Sequence, residues 1–291
     1  GTLTSAPTGV IRLAAGSGGN LAIQNSNTVT LINNGVIAAE AAGRTLSITV
    51  TTVQNVAKGV LTGGTWIASG SSPLTLPAGV IITTNNANVT VGGAASFPAL
   101  ATLRTNNGSL STAGGGTFTI TPAGGTFTNN GVITLRPINT VAIAGNFTQV
   151  AAASFIVQVQ GDLPADIGRL TVTGTATLDG TLTVTAVNGW DPECINSVFI
   201  NAGTVSGQFA TQSLPTPPDD HQTFIVYLGE VRFAISPPSD YNRDGFLNSQ
   251  DIFDFLIAFF DLSPEADFNN DGFVNSQDFF DFIADFFEGC P

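Results

Sequence analysis

One short string returns along the first half of the chain at a spacing few folds can use. INNGVI occupies 32–37, TNNANV 84–89, TNNGSL 105–110 and TNNGVI 128–133, the last three beginning 21 and 23 residues apart. Glycine-rich runs (AGSGGN, LTGGTW, VGGAAS, AGGGTF, PAGGTF) punctuate the intervals. A period near 22, with short strands and Asn/Gly corners, is what the stacked coils of a β-solenoid require. One coil cannot bury its inward face alone, whereas a stack buries Val, Ile, Leu and Phe in a continuous column. A β-sandwich with Asn-Gly hairpins draws on the same residues; the recurrence favours the solenoid.

The stretch RLTVTGTATLDGTLTVTAV gives the strand pattern most cleanly. Leu170, Val172, Ala176, Leu178, Leu182, Val184 and Ala186 take even positions, while Thr171, Thr173, Thr175, Thr177, Thr181, Thr183 and Thr185 take odd ones. Period two predicts strands with one apolar and one threonine face, turned at Gly174 and at Asp179-Gly180. Threonine is β-branched and suits an exposed pleated surface. A last hairpin is predicted to turn near Gly229-Glu230. On this pattern, with NSVFINAGTVSGQFATQSL and TFIVYLGEVRFAI, the first 235 residues resemble the passenger-type β-helices of autotransporters and related bacterial surface proteins. That resemblance implies a non-catalytic surface scaffold.

The C-terminal segment follows different rules. It contains DYNRDGFLNSQD and, twenty-seven residues later, DFNNDGFVNSQD. Asp240, Asn242 and Asp244 stand at loop positions 1, 3 and 5, with Gly245 at 6, Phe246 at 7, Asn248 at 9 and Asp251 at 12. Asp267, Asn269, Asp271, Gly272, Phe273, Asn275 and Asp278 repeat the set. Oxygen side chains on alternate residues point to a common centre only if the chain wraps around it, and glycine at position 6 permits the turn. Position 7 offers its carbonyl and the position-12 carboxylate closes the sphere. With hard oxygen donors and neither Cys nor His, two calcium ions are the expected occupants.

After each loop, apolar residues fall at i, i+1, i+3, i+4, i+7 and i+8: Ile252, Phe253, Phe255, Leu256, Phe259, Phe260, and Phe279, Phe280, Phe282, Ile283, Phe286, Phe287. That spacing predicts two helices whose apolar faces bury against each other. Pro237-Pro238-Ser239 and Ser263-Pro264-Glu265 precede the loops, so helices are expected only after them. Duplicated loops with exiting helices resemble a type I dockerin, here covering about residues 239–289. The resemblance implies a calcium-folded module that docks onto a cohesin-like partner. In that family loop positions 10 and 11, here Ser249-Gln250 and Ser276-Gln277, read the partner together with basic helix residues. These helices carry no Lys or Arg. The expected organisation is thus a mainly β chain: a β-solenoid over 1–235 and a small α-helical dockerin-like calcium-binding domain over 236–291.

Charge narrows the partners. From Asp240 onward twelve acidic residues face the single Arg243, a net of −11 out of −13 for the whole chain. Eight basic residues in 291 are too few for the clusters that bind phosphate, so nucleic acid is not an expected partner. No apolar run nears the roughly 20 residues a membrane helix needs. The absence of methionine suggests a mature, secreted chain whose targeting segment has been removed, acting outside the cell or on its surface. Cys194 and Cys290 could close a loop worth up to ~4–5 kcal/mol, or remain unrelated thiols.

No enzyme is expected. His221 sits beside Asp219 and Asp220 and reads as a solvated loop histidine; Asp162, Asp166 and Asp179 read as turn formers. Trp66 and Trp190 read as core or rim rather than sugar platforms. The expected function is structural: head-to-tail self-assembly into extracellular fibres or a surface layer. The alternatives are a surface module docked on a cohesin-like protein and, less favoured, a polysaccharide-active β-helix enzyme.

Overall fold

The computed structural model describes residues 1–24, 28–69, 71–92, 97–190, 194–217 and 221–289. Short parallel strands wind into a β-solenoid of about eight turns. Its longest face stacks nine strands in parallel: Val10–Leu13, Val36–Ala39, Val60–Ala68, Thr84–Val91, Ser109–Thr112, Val132–Leu135, Ser154–Val159, Thr181–Ala186 and Thr211–Ser213. The register is set by what points inward. Ile37, Trp66, Val89, Leu110, Ile133, Phe155 and Leu182 pair in succession, and every one is buried. Slipping one strand by a residue would turn its whole apolar set outward. Phe127, Phe147, Phe155 and Phe209 add an aromatic run through the core, with successive ring centres 6.0, 6.1 and 5.7 Å apart. Each fully buried phenylalanine contributes about 1.5–3 kcal/mol of apolar burial.

The recurring Asn-Asn pair builds two ladders at one corner. Asn85, Asn106 and Asn129 point inward and are fully buried. Asn85 Nδ2 donates to Asn106 Oδ1 (2.8 Å), Asn106 Nδ2 to Asn129 Oδ1 (2.7 Å) and Asn129 Nδ2 to Gln149 Oε1 (2.8 Å). The second asparagines form an exposed ladder, Asn130 donating to Asn107 and Asn107 to Asn86, both at 2.8 Å. The close approach of successive coils explains the glycine that follows the pair in two of the copies. A Cβ on Gly131 would lie 2.2 Å from the Gly108 carbonyl oxygen one coil away, and one on Gly108 would lie 2.2 Å from that of Ala87. The corners expected from sequence are there, with the first asparagine turned inward to satisfy its neighbours.

The strand Arg169–Leu178 turns its corner where the register shifts between Val172 and Thr175, and Leu170, Val172, Ala176, Leu178, Leu182 and Val184 are buried as the alternation predicts. The final hairpin, Gln222–Tyr227 with Glu230–Ser236, reverses direction: Glu230–Ser236 runs antiparallel to Ile195–Gly207. Two helices follow, α1 (Ser249–Phe260) and α2 (Ser276–Glu288).

Their packing corrects one expectation. Phe255 and Phe282 stack face to face with centroids 4.1 Å apart and planes 3° from parallel. Tyr241 and Phe268, at position 2 of each loop, meet them edge-on in a pseudo-two-fold arrangement. Phe253, Phe260, Phe280 and Phe287, however, remain exposed together with Ile257. Positions i+1 and i+8 lie too far round a 3.6-residue helix to share the narrow stripe that one neighbouring helix can cover.

Candidate metal centre

Each acidic dodecamer is folded by its own side chains. In the first, Asn242 Oδ1 accepts from Asp244 N (2.9 Å), Asp244 Oδ1 from Phe246 N (2.8 Å) and Asn248 Oδ1 from Gln250 N (2.9 Å). The second loop repeats this with Asn269, Asp271 and Asn275, which accept from Asp271, Phe273 and Gln277. Gly245 and Gly272, at φ 82° and 92°, make the position-6 turn that a Cβ would strain. Arg243 and Asn270 at position 4 are also left-handed.

Positions 9 and 12 have a second task. Asn248 caps α1 and Asp251 accepts from Asn248 N (2.8 Å), a reciprocal capping box; Asn275 and Asp278 do the same for α2. Asp251 and Asp278 are fully buried, and each also accepts from the position-3 backbone N–H, Asn242 or Asn269 (3.3 Å). Thus the position-12 carboxylate ties loop start, loop end and helix together. Burial holds the Asp251 carboxyl above its ordinary pKa range; the N–H groups of Asn248 and Asn242 oppose this, and nearby Asp240 and Asp244 reinforce it.

The donor chemistry fits a hard divalent cation. Asp240 is 1 % exposed: its Oδ2 accepts from Gly245 N (3.0 Å) and Ser236 Oγ (2.6 Å), while its buried Oδ1 has no partner. A buried carboxylate oxygen without a donor is costly, and a cation removes that cost. Among the described residues no group of three Asp, Glu, His or Cys side chains is placed to hold a metal ion; the loop oxygens accept from loop N–H groups instead. Asn242, Asp244, Asn248 and the Phe246 carbonyl belong to the first candidate set with Asp240 and Asp251. Asp267, Asn269, Asp271, Phe273, Asn275 and Asp278 form the second.

Two groups of residues at these loops were missed in the sequence. Asp254 and Asp281 accept from Gln250 and Gln277 (2.8 and 2.7 Å) and from Asn242 and Asn269 (3.4 and 3.2 Å), bracing each loop against its helix. The Gln-x-x-x-Asp spacing carried that signal. Ser236 and Asn196 come from the solenoid, and no local spacing could reveal them.

Elsewhere, Asp166 accepts from Gln160 and Leu163 N and Asp179 from Gly180 N, local contacts within the turns, whereas Asp162 accepts from Trp190 Nε1 (3.1 Å), 28 residues further along the chain. Trp66 is wholly buried. His221 differs from expectation: it is half-buried, with its Nε2 enclosed and unpartnered. Asp219 and Asp220 lie outside the described residues. Cys194 takes part in a disulfide; Cys290, the chain's other cysteine, lies outside the described residues.

No protein-family model matches the chain, and neither the curated proteins nor the solved structures give a match. Among the described residues no helix is long and apolar enough to cross a membrane.

Proposed function

We propose that the chain is an extracellular, non-catalytic structural protein, stabilised by two calcium ions in the duplicated loops, that assembles end to end with further copies of itself. The observation that carries self-assembly is the segregation of charge along the solenoid. Residues 1–136 hold five basic residues against Glu40 alone, and Arg12 is already paired with that glutamate at 2.8 Å. The tail carries −11 and exposes Phe253, Phe260, Phe280 and Phe287. An acidic, phenylalanine-studded module at the C-terminal end complements the weakly net-basic run of coils over 1–136, so a contact between copies repeats head to tail and does not close on itself. Two calcium ions lower the tail to −7, enough to let it pack while leaving it acidic.

Sedimentation and negative-stain electron microscopy test this. In millimolar calcium and low salt, fibres or sheets are expected; chelation or about 0.5 M salt disperses them, since charge contacts are screened. Monomers in every condition overturn self-assembly.

The exposed phenylalanines also favour a second reading, in which the dockerin-like tail docks onto a cohesin-like protein. Monomers that form a tight calcium-dependent complex with such a domain would establish it.

A further inference from the structure

We propose that the two loops, nearly identical in sequence, are unequal calcium sites: the first is a latch that fixes the tail to the solenoid, and the second is a free site. This rests on the calcium reading above and adds to it a division of labour.

The two loops differ in what surrounds them. Around the first, Asn196 of the solenoid donates its Nδ2 to the Gly245 carbonyl (2.7 Å), and Ser236 of the last strand donates its hydroxyl to Asp240 (2.6 Å). Arg232 lies 5.3 Å over the ring of Phe246. Asp285 of α2 accepts from Ser239 N (2.8 Å), closing the module back onto the start of this loop. A Cβ on Gly245 would meet Asn196 Nδ2 at 2.8 Å, whereas one on Gly272 would meet nothing within 4 Å. Phe246 is 49 % exposed and Phe273 74 %.

Position 1 shows the consequence. Asp267 is only half-buried, and both its oxygens are engaged, by Gly272 N (2.8 Å) and Asp271 N (3.0 Å). Asp240 is buried with Oδ1 free of any donor. The first loop is therefore held in shape by a rigid body outside itself and keeps an unsatisfied carboxylate oxygen at its hub. A cation entering it orders less chain and meets a less screened charge than one entering the second loop. An ion held by Asp240, itself anchored to Ser236, and by Asp251 at the start of α1 would join the solenoid's last strand to the helix, so filling the first loop would fix how the tail sits on the solenoid.

Calorimetric titration of calcium into the chelated full chain tests this, with hydrogen exchange followed over 222–236. Two classes of site are expected, the tighter by about tenfold or more. Asn196→Ala, outside both loops, weakens the tight class several-fold and leaves the other unchanged. Asp240→Ala removes the tight class and deprotects 230–236; Asp267→Ala removes the weak class with no change there. Should Asp240→Ala fail to fold, Asn196→Ala and Asp267→Ala still decide. Two equal classes, or an Asn196→Ala effect on both alike, overturn the inequivalence while leaving the calcium reading standing. The absence of any calcium binding overturns the calcium reading itself.

Discussion

Chelating calcium at neutral pH is expected to unfold α1 and α2 while the solenoid stays folded. The module's own core is small: among the described residues its fully enclosed apolar side chains are Phe255, Ala266 and Phe282, with half-buried neighbours such as Tyr241, Phe259, Phe268 and Phe286 packed around them. A core of that size contributes too little to hold a segment carrying −11. Each ion at 100 to 1,000 times its dissociation constant adds about 2.7–4.1 kcal/mol, so losing two removes more than the module retains. Far-ultraviolet circular dichroism should lose the helical contribution of these 25 residues, the strand signal persisting, and magnesium at the same concentration should not restore it. Acid should act in the opposite direction on the chelated protein. Burial raises the folded-state pKa of Asp251, so its protonated form stabilises the empty loop. That contribution is complete below the ordinary carboxylate value of ~3.9 and is lost as pH rises through the raised folded value. Helix signal that survives chelation unchanged at pH 7 would contradict the expectation.

The second large effect lies in the solenoid. Asn106 Nδ2 donates to Asn129 Oδ1, to the Val132 carbonyl (3.0 Å) and to the Gly108 carbonyl (3.3 Å), while its Oδ1 accepts from Asn85. Asn106→Leu fills similar volume but strands several buried polar atoms, each costing about 1–3 kcal/mol. The substitution is expected to lower stability by about 3–5 kcal/mol in urea denaturation. Asn107→Ala, on the exposed ladder one residue away, should cost less than about 1 kcal/mol. Equal effects at the two positions would show that the inner ladder is dispensable.

These two sites mark how far the sequence could be read. The TNNG recurrence reveals the coil period because each copy must present the same side chains to the copy below: Asn85, Asn106 and Asn129 are 21 and 23 residues apart since that is one circuit. It does not reveal the longer circuits. Thr2 pairs with Thr30 and Phe147 with Ala176, where corner insertions lengthen the coil without disturbing the stack. Nor does the Asn-Asn pair say which asparagine faces inward, since both are polar and only the pleat decides. The hairpin turn near Gly229 was legible, but the antiparallel pairing of Glu230–Ser236 with Ile195–Gly207 was hidden: its alternation is that of any half-buried strand. At the loops, positions 1 to 12 were legible because the wrap is local. The different surroundings of Asp240 and Asp267 depend on Asn196 and Ser236, brought close by the solenoid's last turn. The phenylalanines misled for a related reason. Periodicity registers an apolar face but not how much of it a single neighbouring helix can cover, and Phe253, Phe260, Phe280 and Phe287 lie beyond that reach.

The claim on which the rest depends is that the duplicated acidic dodecamer holds calcium, and native mass spectrometry of the full chain counts the ions directly. In calcium acetate, two per chain are expected, falling to one in Asp267→Ala with Asp278→Ala. A chain that carries none, with the helices still formed, would contradict it and reduce the loops to helix caps alone.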